Sequence, residues 1–310
     1  FGTLTTISES KFQFGLLYAG SDDGKIHVSK DGGASWQLIS GNLPQSLWVS
    51  RVTASTHKKE RVYATLNGYR NDNFESYAFV SDDFGTTWTS ISNGLTQAVN
   101  VIVEDSANEN ILYVGTDNGL FISLDKGASW QDFSNGMPNV AVHDAVIQTK
   151  AKELIVGTHG RSLYKIEISR VQELTKDVLT KNLHLFKVND RTKSDRWGSQ
   201  NYAWGKPSEP SQTIWFYSNT DGIVTISVTN EAGIVVHTQK VEAKKGLNSF
   251  NFDYSLSKEV AEKWNKKDKN IKIKAAENKK FYLPIGKFKV TISKDKSSES
   301  KTFEILNPKK

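Results

Sequence analysis

The sequence predicts an all-β chain: a partial β-propeller of about four blades, the last incomplete, followed by a β-sandwich. Three observations carry that prediction. The pattern Ser-x-Asp-x-Gly-x-x-Trp occurs at Ser29 to Trp36, Ser81 to Trp88 and Ser123 to Trp130, at spacings of 52 and 42 residues, and self-similarity at such a period marks a repeat architecture. Four segments align around these copies, Leu4 to Trp36, Val49 to Trp88, Val99 to Trp130 and Val142 to Ile168, each readable as up to four short strands, the arithmetic of a propeller blade. Further on, six strand-like runs lie between Thr213 and Leu306, which suits two packed sheets.

Each aligned segment opens with an apolar strand (Leu4 to Ile7, Val49 to Ala54, Val99 to Val103, Val142 to Ile147). A second follows at Leu17 to Gly20, Val62 to Ala64, Leu112 to Gly115 and Leu154 to Gly157. A third leads into the Ser-x-Asp motif and a fourth begins at its Trp. Within the motif Gly33, Gly85 and Gly127 suit the positive φ of a tight turn, and Asp31, Asp83 and Asp125 suit acceptance of nearby backbone N–H groups. Trp36, Trp88 and Trp130 are sized to wedge between neighbouring sheets. Reading these aspartates as catalytic is the weaker alternative, because a residue repeated once per unit serves the unit.

After Gly157 to Ile166 there is neither motif nor fourth strand, so three whole blades and three strands of a fourth are expected. The chain opens on a first strand, so the remaining blades are expected upstream in the polypeptide or on another chain, with apolar faces open until they dock. Val171, Leu174, Val178 and Leu179 have helical spacing and predict one connecting helix over Arg170 to Leu183. The expected domains are thus 1–168, a linker at 169–190, and 191–310. In the last, Asp190 to Pro210 reads as a loop carrying Trp197, Tyr202 and Trp204, suited either to packing or to stacking on sugar rings. Strands are expected at Thr213 to Tyr217, Gly222 to Thr229, Gly233 to Gln239, Leu247 to Tyr254, Gly286 to Ile292 and Lys301 to Leu306, with a hairpin turn at Asn230 to Gly233. The Lys258 to Lys280 insertion, nine lysines against four acids, reads as a helix and loop on the sandwich edge.

The three motifs are identified as Asp-boxes of the BNR repeat, and this part of the chain resembles the sortilin-type and xyloglucanase-type propellers. Ile223 to Ile226, Ile234 to Val236, Gly246 to Asp253 and Gly286 to Val290 resemble the immunoglobulin- or fibronectin-like sandwich that follows the propeller in large bacterial BNR-repeat proteins. The resemblance implies a ring of seven or eight blades and a location outside the cell or on a bacterial surface, associated with the outer membrane. It leaves activity open, since the family mixes sialidases, xyloglucanases, peptide receptors and assembly factors. A sialidase would need an arginine triad with a Tyr and Glu pair, which these residues do not assemble. The sequence departs from animal sortilins in having no cysteine.

Composition narrows the classes further. The 310 residues, 37% of them hydrophobic, suffice for two ordinary cores. No apolar run reaches the roughly 18 residues of a transmembrane segment, and the start lacks a signal-peptide pattern, as in a mature product or a fragment. Without cysteine there is neither disulfide nor thiolate metal site. Residues 1–168 hold 13 basic and 18 acidic groups, a net −5, and residues 169–310 hold 27 and 16, a net +11. The second half contains no nucleic-acid module, and its lysines read as a solvated surface. No metal, cofactor or nucleic-acid partner is expected.

In a propeller the first strands line the channel, and the turns between second and third strands open beside it at one end. That topology gathers Trp48, Ser50 and Arg51, Asn100, His143 and Asp144, the inserted loop from Asn67 to Tyr77, and His159 to Arg161 at one mouth. From these, Trp48, Arg51, Tyr69, Arg70, Asn71, Phe74, His143, His159 and Arg161 are candidate binders of a glycan or an extended protein ligand. Two readings stand for Arg51, Asp144, His159 and Arg161: a binding site, or a buried polar network tying blades together. Asp72, Glu75 and Asp144 are the acids near the mouth, and Asp72 and Asp144 are the catalytic candidates if the intact protein is a glycoside hydrolase of xyloglucanase or sialidase type. Three functions are consistent with this pattern: a non-catalytic recognition part, a portion of such a hydrolase, or one subunit of a cell-surface assembly.

Overall fold

A computed structural model describes residues 2–200, 202, 204–267 and 272–308. The chain is nearly all β, a partial propeller plus a β-sandwich, and separates into two compact units at Thr175/Lys176. In the first unit, three four-stranded antiparallel sheets and one three-stranded sheet follow one another along the chain. Blade 1 holds Leu4–Glu9, Leu17–Ser21, Ile26–Ser29 and Gln37–Leu38; blade 2 holds Trp48–Ala54, Val62–Gly68, Asn73–Ser81 and Thr89–Ser90. Blade 3 holds Val99–Glu104, Leu112–Thr116, Gly119–Ser123 and Gln131–Asp132; blade 4 holds Val142–Gln148, Glu153–Thr158 and Leu163–Glu167. Strand order within each blade is sequential, so every connection is a hairpin, and the first strands of adjacent blades lie side by side.

The three Ser-x-Asp turns share one hydrogen-bond pattern. Ser29 Oγ donates to Asp31 Oδ1 at 2.8 Å and accepts from the Gly33 N–H at 2.8 Å, while Asp31 also accepts from the Ser35 N–H at 2.9 Å. The same three bonds recur at Ser81, Asp83, Gly85 and Thr87, and at Ser123, Asp125, Gly127 and Ser129. The glycines adopt φ of 93°, 86° and 89°, a region closed to most side chains. The hydroxyl and amide of Ser35 hold the Asp31 carboxyl down to about 2, and the amide and hydroxyl of Thr87 do the same for Asp83, again about 2. A carboxyl depressed on folding from an ordinary value of about 3.9 favours the folded turn above that value and loses the effect as pH falls toward about 2. Asp83→Asn is therefore expected to be less stable than the native chain at neutral pH, with the gap closing as pH drops from about 5 to about 2. Urea unfolding across that range checks this, and a gap independent of pH would contradict it.

Between blades, each Trp after the first docks on the preceding blade. Trp88 Nε1 donates to the Ile39 carbonyl at 2.7 Å, and Trp130 Nε1 to the Ile91 carbonyl at 2.7 Å. The residue supplying the carbonyl sits three positions after the preceding Trp in both cases. First-strand residues seal the blade 1–2 and blade 3–4 junctions: Val49 lies against Gly20 and Val142 against Gly115, where a Cβ would come within 2.5 Å of a valine methyl. Two continuous cores result, one shared by blades 1 and 2 and one by blades 2 and 3.

At the end that carries the Ser-x-Asp turns, a buried carboxylate ties blade 3 to blade 2. Glu104, with a fully buried side chain, accepts from Ser55 Oγ at 2.8 Å, the Thr56 N–H at 2.5 Å and Tyr63 Oη at 2.9 Å, with Arg61 3.7 Å away. Arg61 also pairs with Asp82 at 2.7 Å and Glu109 at 3.2 Å. Tyr18 and Tyr113 occupy the position of Tyr63 in the neighbouring blades. Tyr113 reaches Asp105, itself fully buried, at 3.3 Å. Tyr18 Oη is buried without a partner, because Ala54 stands in blade 2 where Glu104 stands in blade 3. Burial first, and then the Glu60 charge, pushes the Tyr18 hydroxyl up to about 12.

The single helix expected over Arg170 to Leu183 is instead two four-residue helices, Ser169–Gln172 and Lys176–Leu179. The break has a tertiary cause. Asn108 Nδ2 donates to the carbonyls of Gln172 and Leu174, each at 3.5 Å, occupying acceptors that a continuous helix would give to residues four further on. Leu183–Leu185, within the stretch read as a linker, is a strand paired with Gln212–Ser218.

In the second unit a three-stranded sheet has the order Leu183–Leu185, Gln212–Ser218, Gly246–Phe252. A five-stranded sheet has the order Arg191–Thr192, Ser297–Leu306, Gly286–Lys294, Gly222–Asn230, Val235–Ala243. Alternate residues from both, among them Ile214, Phe216, Val224, Ile226, Phe252, Val290 and Ile292, meet in one core, as period-2 patterning requires. The hairpin turn closes through the Gly233 N–H to the Asn230 carbonyl, with Gly233 at φ 73°. Helix Lys258–Lys267 adds Ala261 and Trp264 to that core; residues 268–271 of the Lys-rich stretch lie outside the described residues. Trp197 stacks on Tyr254 within the core at 5.6 Å, whereas Tyr202 and Trp204 are exposed and stack on each other at 5.2 Å.

Candidate functional site

The candidate site occupies the blade ends opposite the Ser-x-Asp turns. The excursion from Asn67 to Tyr77, expected as an inserted loop, is mostly an extension of the second and third strands of blade 2. Pairing runs from Leu66↔Tyr77 to Gly68↔Asn73, and one 3-10 turn, Tyr69–Asn71, caps the hairpin. Gly68 permits this because a Cβ there would come within 2.8 Å of Asn73. Asp72 leaves the turn in the left-handed region at φ 54°, and Asn73 Nδ2 to Tyr77 Oη at 2.9 Å braces the returning strand. The pairing at both ends of a bulge thus anchors the hairpin to the blade.

On this rigid tip three side chains converge. The Trp48 and Tyr69 rings meet edge to face with centroids 6.0 Å apart. The Arg70 guanidinium lies 5.2 Å from the Trp48 centroid and 5.7 Å from that of Tyr69, and Arg70 Nε donates to Tyr69 Oη at 3.1 Å. That bond, with the nearby charge of Asp22, raises the already high pKa of the guanidinium. The backbone beneath is pinned: Asn71 Nδ2 donates to the Ser46 carbonyl at 3.1 Å, and the Tyr69 N–H to Asn67 Oδ1 at 2.9 Å. From Asn67 a buried side-chain relay continues to Asn100 Oδ1 at 2.8 Å and from Asn100 Nδ2 to Asp117 Oδ1 at 2.8 Å, linking blade 2 to blade 3.

Nearer the channel, Arg51 Nη2 meets Asp144 Oδ1 at 2.6 Å. The register explains the pairing. Thr6, Arg51, Val101 and Asp144 occupy one equivalent position on the four first strands, so Arg51 reaches past the short Val101 to the acid of blade 4. The expected buried network is not what forms. The Asp144 side chain is 66% exposed, and His143, His159 and Arg161 are exposed too, since blade 4 has only blade 3 beside it among the described residues. His143 and His159 meet edge to face at 5.4 Å, and Arg161 makes no side-chain hydrogen bond among the described residues. Two donors in this region, Trp48 Nε1 and Arg51 Nε, are buried and have no hydrogen-bond partner.

Other candidates are not drawn into this cluster. Phe74, 59% exposed, lines a separate depression of about 440 Å³ with Ser76, Ser92 and Leu95. The exposed Asp72 carboxylate contacts neither Arg51 nor Asp144, and Glu75 accepts from Tyr77 Oη at 3.2 Å. No group of three or more His, Asp or Glu side chains suited to a metal ion occurs among the described residues, and no described helix is long and apolar enough to cross a membrane. The Asn67–Asn100–Asp117 relay was not legible as a unit in the sequence, because its members come from three strand ends.

No family model and no curated protein matches the chain. Among solved structures, the family 74 glycoside hydrolase xyloglucanase of Xanthomonas campestris aligns over 93% of this chain and 44% of its own, at 12% identity and TM-score 0.44. An ancestral enzyme of the same hydrolase family aligns over 77% of this chain and 32% of its own, at 14% identity and TM-score 0.43. The chain thus spans less than half the length of either.

Proposed function

We propose that this chain is the non-catalytic recognition part of an extracellular or cell-surface Asp-box propeller protein, with an immunoglobulin-like sandwich as its second domain. It holds a glycan at the Trp48, Tyr69 and Arg70 cluster. The observation that carries this reading is the cluster itself: two aromatic rings and an exposed guanidinium gathered at a hydrogen-bonded hairpin tip. Aromatic faces stack on the apolar face of a pyranose, and the exposed Arg70 guanidinium offers donors to its hydroxyls. The recognition reading is preferred to hydrolysis because Asp144 is committed to Arg51 and Asp72 stands apart from it. A glycosidase needs two carboxyl groups facing one bond.

The test is calorimetric titration of the 310-residue chain with neutral β-glucan oligosaccharides of about six sugars, alongside an acidic peptide of similar length. Arg70→Ala is expected to weaken glycan binding about tenfold, equivalent to about 1.4 kcal/mol, with the unfolding midpoint unchanged. Glycan recovered intact after long incubation, with native chain and Asp144→Asn alike, is the expected second result. Indifference of binding to Arg70→Ala, or cleavage that Asp144→Asn abolishes, overturns the reading; binding of the peptide alone moves the ligand class to protein.

A further inference from the structure

Three lysines of the second unit face one cavity of about 760 Å³. Its walls come from three parts of the chain. The stretch after strand Arg191–Thr192 supplies Lys193 and Asp195, residues 272–274 supply Lys272, Ile273 and Lys274, and the turn after strand Phe281–Tyr282 supplies Ile285. Each wall is tied to the sandwich. The Lys193 N–H donates to the Leu306 carbonyl at 2.9 Å, and the Leu283 N–H to the Tyr254 carbonyl at 3.0 Å. Asn265, on helix Lys258–Lys267, accepts from the Ile273 N–H at 2.8 Å and donates to its carbonyl at 2.9 Å. The cavity is thus framed by hydrogen-bonded backbone.

Of the described lysines in this unit, Lys193 and Lys294 alone are not exposed, and the two are satisfied differently. The Lys294 ammonium donates to Ser218 Oγ at 3.0 Å, to Thr220 Oγ1 at 2.7 Å and to the Thr220 carbonyl. That uses all three of its N–H groups. The Lys193 ammonium lies 4.2 Å from the Trp197 ring centroid and donates one bond, to the Leu283 carbonyl at 2.8 Å. Its other two N–H groups have no acceptor, and its charge no ion pair, among the described residues. Burial pulls this amine down to about 8, opposed by the charge of Asp195. Lys272 and Lys274, both exposed, likewise have no ion pair among the described residues, in contrast to Lys280, which meets Glu209 at 2.9 Å. Withdrawing a charge from water is costly unless an opposite group answers it.

We propose that this cavity binds an acidic sugar, a pyranose bearing a carboxylate, with the carboxylate on the ammonium groups of Lys193, Lys272 and Lys274 and the ring against Ile273 and Ile285. A carboxylate offers acceptors to both remaining N–H groups of Lys193, and such charge-assisted bonds are the strong ones. Asp195 is the acid lining the cavity, and its oxygens accept from ring hydroxyls. A plain aromatic acid has no hydroxyl to give it and brings a second negative charge beside it. The site lies wholly in the second unit and stands independently of what the Trp48 cluster holds.

The experiment is calorimetric titration of the 310-residue chain with glucuronate, against glucose, which lacks the charge, and benzoate, which lacks the hydroxyls. Glucuronate is expected to bind at least about tenfold tighter than either. Lys193→Met, which keeps an apolar stem over Trp197, should weaken glucuronate binding at least about tenfold. Lys274→Ser, at an exposed position, should weaken it about two- to threefold with the unfolding midpoint unchanged. The titratable groups facing Lys193 are Asp195, Lys272, Lys274 and Tyr282. Because the proton that leaves Lys193 between about pH 7 and pH 9 is the one a carboxylate needs, native binding should weaken about tenfold across that range. Lys193→Met should lose this dependence. The proposal is overturned if glucose or benzoate binds as tightly as glucuronate, or if glucuronate does not bind at millimolar concentration. It is equally overturned if Lys193→Met binds as the native chain does. Should Lys193→Met fail to fold, the Lys274→Ser loss and the pH dependence decide, and the absence of both overturns the proposal.

Discussion

Glu104→Ala is expected to destabilise the chain by about 3–5 kcal/mol, the range for breaking a buried, hydrogen-bonded charge group. The substitution removes the acceptor of Ser55 Oγ, the Thr56 N–H and Tyr63 Oη together, and Ser55 and Tyr63 are buried. It also leaves Arg61, 8% exposed, to Asp82 and Glu109 alone. Glu104→Gln keeps the shape and half of the acceptors, so its effect should be smaller. The tyrosines at equivalent positions of blades 1 and 2 supply the contrast. Tyr63→Phe should lower stability by about 1–2 kcal/mol, whereas Tyr18→Phe should be neutral or stabilising by about 1 kcal/mol, since its hydroxyl is buried and unpaired. Urea midpoints of the four variants check the set. Equal effects of the two tyrosine changes would show that the missing acceptor at Ala54 is irrelevant.

Trp88→Ala is expected to lose about 3–5 kcal/mol, as for other large aromatic truncations in a packed core. Trp36→Ala, the same change at the equivalent position one blade earlier, should lose less than about 1 kcal/mol, in line with an exposed surface substitution. The two side chains differ in surroundings alone: Trp88 is 8% exposed and bonded to the Ile39 carbonyl, and Trp36 is 43% exposed. Thermal or urea unfolding of the two variants, read against the native chain, decides the matter, and comparable losses at both positions would contradict the docking scheme. A loss at Trp88 also frees a carbonyl and opens a cavity beside Gly85, so the midpoint should move without a large change in slope.

Much of the repeat was legible because it is written locally. Strand alternation, turn glycines and the Ser, Asp, Trp spacing all act within some ten residues, so period and position reveal them. What escaped was written between segments. The helix expected over Arg170 to Leu183 is broken by Asn108, more than 60 residues away. The Asn67 to Tyr77 stretch looked like a loop because Asn71, Asp72 and Asn73 are turn residues, yet the turn spans three residues and the flanking strands pair at Leu66↔Tyr77 and Gly68↔Asn73 across a bulge. At the site, counting along first strands placed Arg51 and Asp144 at the same mouth. That the two bond directly depends on Val101 standing between them at the same register, a fact about blade geometry. Glu104 carried no local signal at all, since its partners come from the preceding blade.

The direction of the Trp-to-carbonyl contact bears on synthesis. In both junctions the acceptor, Ile39 or Ile91, precedes the tryptophan that needs it by 49 and 39 residues. A ribosome releases residues in that same order, so each tryptophan emerges to find its seat already made, and each blade can close on its predecessor before its successor exists. The propeller is thereby suited to vectorial, blade-by-blade folding, in which a pause between blades leaves only one unfinished edge open at a time.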